Sequence, residues 1–202
     1  MKLVAAWVPY AAVLLGMRGL GSAWAAILLY HAGIVLFLFL RKSSSVWKPI
    51  GRGYGPLLIP AVLLCALAAP AVYFMWPWLA SPNMSLPAWL AEYGLTGYSW
   101  ALLVPWFSVV HPVLEEMHWR GLAPENKKGF CGADFLFAGY HILVLYELVY
   151  WPWLFMVFAV LAGSSLFWRR TAERYGGFLL PVLSHAAADA GVMTGVYFLL
   201  RS

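Results

Sequence analysis

Seven apolar runs, at about 3–17, 22–40, 56–79, 98–121, 133–149, 153–168 and 177–200, take up most of this 202-residue chain. A helix that crosses a bilayer needs roughly 20 apolar residues. Backbone in hydrocarbon must also satisfy its own hydrogen bonds, which leaves helices or closed barrels. Runs this long and continuous read as helices. The fold class that follows is all-α: a polytopic membrane bundle of about seven transmembrane helices, one integral membrane domain over 1–202. Charged residues make up only 10% of the chain, against about 25% in soluble domains, so no soluble domain is expected.

The breaks between runs are legible. "MRGLGS" is a short turn and "RKSSSVWKPIGRGYG" a basic loop. "ASPNMSLPAWLAEYGLTG" is a longer loop with a short interfacial helix around "AWLAEY". "APENKKGFCG" and "RRTAERYGG" read as basic loops, and "YWPW" at 150–153 as an aromatic interfacial turn. Seven spans put Lys2, Arg41, Lys42, Lys48, Arg52, Arg120, Lys127, Lys128, Arg169, Arg170 and Arg174 on one side. Only Arg18 and Arg201 fall on the other. Cytoplasmic loops hold the excess of Lys and Arg, so the N-terminus is expected in the cytoplasm and the C-terminus outside. The net charge of +5 then reports orientation, and no nucleic-acid partner is implied. Lys2 and the "AWA" at 23–25 mimic a signal peptide, but Arg18 interrupts the pattern and another span follows directly. Cys65 and Cys131 have neither a disulfide framework nor metal-site spacing.

Against this background "VVHPVLEEMHWRGL" at 109–122 demands a reason. An ionisable residue within a span costs about 2.5–3.5 kcal/mol on insertion scales, so it faces the bundle interior and has a partner. The candidates are His31, His111, Glu115, Glu116, His118, Asp134, His141, Glu147, His185 and Asp189. Bland readings cover several of them. Asp134 suits the positive end of a helix dipole, Glu147 reaches the outer interface, His31 is a packing residue, and His118 is near enough to the surface to be wet. The others converge in depth. If the fourth helix ends near Gly121, Glu115 lies about 9 Å inside at 1.5 Å per residue, and His141 and His185 lie about 12 Å inside from their own helix starts. Spacing divides the two glutamates. Glu116 and Arg120 are four apart and can pair on one face, while Glu115 points about 100° away and is left for chemistry. Phe137 with His141, and His185 with Asp189, also stand four apart.

In order, "EEMHWR" (115–120), "FAGYH" (137–141) and "HAAAD" (185–189) spell EExxxR, FxxxH and HxxxN/D. They resemble the CAAX-protease and bacteriocin-processing (CPBP, or Abi) family of intramembrane endopeptidases. The resemblance covers roughly 110–190, the catalytic core, and extends to "AGSSLFWRRTAERYGG" ahead of the last motif; residues 1–109 carry no motif. It implies a glutamate-dependent peptidase in which Glu115 is the general base, shares the activated water with His141, and His185 with the residue four after it stabilises the oxyanion. That residue is often Asn, and here it is Asp189. An ionised aspartate cannot donate a hydrogen bond, so Asp189 either is protonated or orients His185, and orientation is the favoured role. Glu116, Arg120 and Phe137 support the site. The resemblance further implies a membrane-associated protein or peptide substrate, cut in or near its C-terminal or membrane-proximal part, and bacterial members include myxosortase-type sorting proteases. A bacterial cell membrane with the active site in its cytoplasmic half is therefore expected.

The residues permit other readings. No cofactor is favoured, but Glu115, His141 and His185 could ligate zinc and leave a position for water, although the compact H-E-x-x-H helix is lacking. A non-catalytic scaffold of the same family would not need all three motifs. A proton-coupled transporter would spread its polar groups through both halves of the bilayer, whereas these cluster in one.

Overall fold

The computed structural model of the chain describes residues 2–40, 50–122 and 128–202. Among the described residues seven helical rods stand where the apolar runs are, with one short helix between the third and the fourth. They are α1 (2–19), α2 (Ala23–Leu40), α3 (Leu58–Leu79), short α4 (Leu86–Glu92), α5 (97–122), α6 (Gly132–Leu145), α7 (Trp151–Tyr175) and α8 (Leu179–Leu199). No named strand occurs among the described residues, only an isolated bridge between Ala80 and Val149. By length and apolarity α2, α3, α7 and α8 are candidate spans, and α6 is a shorter apolar helix. On α3 only 6% of the spanning window is buried. A helix so apolar with so little cover belongs in lipid, and the chain is an all-α integral membrane protein.

Two rods depart from regular α geometry. In α5 the turns at Trp106–Val110 and Met117–Leu122 are π-helical. Pro105 and Pro112 lack the N–H that an α ladder needs, and the His111 N–H accordingly bonds Trp106 O, five residues back. π turns of this kind recur at functional sites, and here they flank His111–Glu116. In α1 a break at Ala6–Trp7 precedes Pro9, and the last turn, Leu14–Gly19, is again π-helical.

The helix that carries His185 is fixed on two sides. Gly191 and Gly195 of α8 face α3, and a Cβ on Gly195 would lie 2.9 Å from both Ala69 O and Val72 Cβ. Backbones approach this closely only where small residues face each other. At its start, the N–H groups of Leu179 and Leu180 donate to Arg52 O (2.9 Å) and Gly53 O (3.3 Å), which satisfies donors that the first helical turn leaves free.

Several expectations need correction. The "RRTAERY" segment is the last turns of α7, which runs to Tyr175 and closes on Gly176 in the left-handed conformation. Arg, Ala and Glu are good helix formers, and the Arg169–Asp134 ion pair at 2.7 Å holds this end against α6. The fifth run ends as a helix at Leu145, not 149. Two of the eleven charges assigned to cytoplasmic loops, Arg120 and Arg169, are buried in ion pairs. Arg41, Lys42, Lys48 and Lys127 lie outside the described residues.

Candidate active site

Glu115 is fully buried, and its two oxygens live in different surroundings. Oε1 accepts from the Tyr30 hydroxyl of α2 at 2.6 Å, from the Tyr140 hydroxyl of α6, and from Trp119 Nε1 at 3.4 Å. Oε2 has no hydrogen-bond partner among the described residues. Two imidazoles face it, with His111 Nε2 and His185 Nε2 each 3.6 Å away. One oxygen is therefore saturated with donors while the other has no donor on it.

Glu116, also fully buried, points to the other side as the helical repeat requires. Its Oε2 meets Arg120 Nε at 3.1 Å, the pairing expected from spacing. Its Oε1 lies 2.9 Å from His185 Nδ1, a contact that spacing could not give because it joins α5 to α8. The Arg120 guanidinium lies over the rings of Phe137 (5.0 Å) and Trp168 (5.2 Å). Trp168 also stacks on His185, centroids 4.3 Å apart at 17°, and donates to Ser184 Oγ at 2.8 Å. A carboxylate at one edge and an indole across the face fix the His185 ring. Asp189 Oδ2 stands 3.7 Å from His185 Nε2, beyond a direct hydrogen bond. The side chain that bonds the ring is Glu116.

His141 reaches Glu115 indirectly. Its Nδ1 is 2.8 Å from Phe137 O, so this nitrogen carries a proton, and its Nε2 is 3.1 Å from the Tyr140 hydroxyl that also contacts Glu115. Both ring nitrogens are thus engaged away from the space between Glu115 and His185. Of the set Glu115, His141 and His185 named above for a metal ion, His141 has Nε2 on the Tyr140 hydroxyl and Nδ1 on Phe137 O. Among the described residues no three or more His, Cys, Asp and Glu side chains are gathered so as to hold one.

Tyr30, Tyr140 and Trp119 were not singled out in the sequence, since an aromatic residue in an apolar run reads as packing. His111 has no role assigned by spacing, and the sequence makes His31 a packing residue. In the structure they form a line, with Trp106 Nε1 3.2 Å from His31 Nδ1 and His31 Nε2 3.0 Å from His111 Nδ1. His118, expected to be wet, is fully buried. It lies edge-to-face with Tyr30 and Trp119, where α1 covers the last turn of α5.

Two further polar clusters bracket the site along α6. Near its start Asp134 pairs with Arg169, accepts from Ser165 Oγ at 2.9 Å and caps the helix through Cys131 N at 3.0 Å, a fuller role than a dipole alone. Beyond its other end Glu147 receives Arg18 Nη1 at 2.5 Å, Tyr93 OH at 3.0 Å and Trp89 Nε1 at 3.1 Å. Burial pushes the Glu147 carboxyl up, but the hydrogen bonds from Arg18, Trp89 and Tyr93 outweigh it and hold the group below its ordinary value. Burial and the bond to Glu147 push the Tyr93 phenol up to about 12.

Residues 97–191 match the family model described as Type II CAAX prenyl endopeptidase Rce1-like. The segment contains all three motifs and every polar residue drawn around Glu115 except Tyr30 and His31. No curated protein and no solved structure matches the chain.

Proposed function

We propose, from the premise that residues 97–191 are of the Rce1-like CAAX endopeptidase family, that Glu115 activates a water molecule for peptide hydrolysis within the membrane. Proteolysis in the membrane is the activity that the family match supports. The substrate we infer is a membrane-associated protein or peptide, cut in or near its C-terminal or membrane-proximal part. The setting is a bacterial cell membrane, with the site in its cytoplasmic half.

The observation that carries this reading is the asymmetry of Glu115. Three donors on Oε1 hold that oxygen in place in an apolar interior. Oε2 is left as the base. It takes one proton from water as the water oxygen bonds to the scissile carbonyl carbon and the carbonyl pair moves onto its oxygen. His185, oriented by Glu116 and Trp168, donates to that oxyanion. The C–N bond then breaks, and the proton held by Glu115 passes to the leaving amine. His141 acts on Glu115 through the Tyr140 hydroxyl. Asp189, whose Oδ2 stands 3.7 Å from His185 Nε2, faces the nitrogen that donates. No step calls on a metal ion.

The test is Glu115→Gln in purified protein, with an internally quenched farnesylated CAAX peptide and a lipid-anchored peptide without the prenyl group as probes. Gln keeps an oxygen for the three donors and removes the base. Turnover should fall by about 10²–10⁴, the usual contribution of a general base, with an unchanged melting midpoint. Cleavage of either probe at the wild-type rate by Glu115→Gln would sink the mechanism.

A further inference from the structure

The line from Trp106 to Glu115 has a direction. An indole nitrogen can only donate, so His31 Nδ1, 3.2 Å from Trp106 Nε1, must accept. His31 is then neutral, with its proton on Nε2. That proton points at His111 Nδ1, 3.0 Å away, which must accept in turn. His111 therefore carries its own proton on Nε2, and this atom faces Glu115 Oε2 at 3.6 Å. Phe107 stacks on the His111 ring, centroids 4.4 Å apart at 15°, and fixes its plane. All three rings of the line are buried or half-buried.

A separation of 3.6 Å exceeds a direct hydrogen bond and leaves both atoms within reach of one oxygen placed beside them. The same distance separates Glu115 Oε2 from His185 Nε2. Two imidazole nitrogens thus stand equally near one carboxylate oxygen, on rings whose centroids are 6.3 Å apart.

We propose that His111, set by Trp106 and His31 as a neutral imidazole protonated on Nε2, is a hydrogen-bond donor to the oxygen that reacts beside Glu115. This rests on the hydrolytic role of Glu115 argued above and adds a residue outside the three motifs. It also answers a shortage of donors, since an ionised Asp189 has none to give. Water held by His111 Nε2–H keeps a lone pair for the carbonyl carbon and a proton for Glu115. Once the oxyanion forms, the same N–H can follow the negative charge without any change of protonation.

Nitrogen-15 spectra of histidine-labelled full-length protein in detergent micelles read the tautomers directly and need no substrate. The expected result is a bare Nδ1 and a protonated Nε2 on both His31 and His111. Trp106→Phe should release both rings into mixed tautomers. A protonated Nδ1 on His111 in the wild type overturns the proposal, as do unchanged tautomers in Trp106→Phe. Kinetics on the farnesylated CAAX peptide provide the second arm. His111→Leu should lower kcat by roughly 10²–10³, the usual loss for one such donor, with little change in KM. His111→Gln, whose amide can donate, should recover at least about tenfold of that loss. A kcat for His111→Leu close to wild type overturns the donor role. If wild-type protein cleaves no probe, the hydrolytic reading fails for that substrate class, while the nitrogen spectra still decide the direction of the His31–His111 line.

Discussion

Replacing Glu116 with Gln separates it from Glu115 more sharply than any activity assay alone. Arg120 is 4% exposed, and its Nη1 and Nη2 have no hydrogen-bond partner among the described residues. Two aromatic faces and the Glu116 carboxylate at 3.1 Å surround the charge. Removing one member of a buried ion pair leaves the other uncompensated, at about 3–5 kcal/mol. Neither partner has appreciable solvent contact, so screening should not reduce that figure much. By the scaling for a chain of this size the melting midpoint in detergent should fall roughly 6–20 °C. Glu115→Gln, which strands no arginine, should leave it near wild type. Arg120→Met alone should destabilise comparably, because it leaves Glu116 buried with only His185 as partner. The double variant should lose less than the sum of the two, giving a coupling term in the cycle. Equal midpoints for Glu115→Gln and Glu116→Gln, or additive losses in the double variant, would refute this division of labour.

Three other outcomes follow from the geometry. A Glu147 carboxyl held low in the folded protein adds stability above the unfolded carboxyl value of about 4.3, and that stability is lost as pH falls through the folded value. The acid limb of the melting profile should therefore flatten in Glu147→Gln, and an unaltered limb would remove Glu147 from the account. Reporter fusions should place the 41–55 and 122–132 loops and the Arg170–Arg174 end of α7 in the cytoplasm and Ser202 outside; a cytoplasmic C-terminus would break the seven-span count. Protein stripped with a strong chelator should keep its activity and contain no stoichiometric zinc, whereas loss of activity restored by added zinc would point to a metal mechanism.

The rods were legible because apolar continuity is a one-dimensional property, and so was the meeting of Glu115 with His185, since equal depth on neighbouring helices is set by the rise per residue. Partners contributed from other rods were not. Tyr30 lies 85 positions from the oxygen it bonds, on a helix without any motif, and nothing in "AWAAILLYHAGIV" distinguishes it from a packing tyrosine. The Glu116–His185 contact was hidden for a similar reason: spacing within α5 reveals Arg120, but only the placement of α8 reveals the imidazole. Depth counted from Gly121 makes His118 wet because it equates the end of the apolar run with the end of burial, whereas α1 covers that turn. The extension of α7 to Tyr175 was missed because basic residues were read as loop, although the Arg169–Asp134 pair gives that stretch a buried reason to remain helical.

The tie between Arg18 and Glu147 also acts as a vertical stop. Its charged side chains keep 21% and 29% exposure, and moving them into hydrocarbon would cost several kcal/mol, so the bundle cannot slide far along the bilayer normal in that direction. From Leu145, the last helical residue of α6 and two before Glu147, back to Tyr140 is five positions, about 7.5 Å of helix. On the function proposed above, Glu115 is thereby held at a set distance below a charged collar, like a blade on a plane. A substrate helix with its own anchoring residues at the same surface would offer one bond at that level, and the enzyme could choose it by measure before reading any side chain.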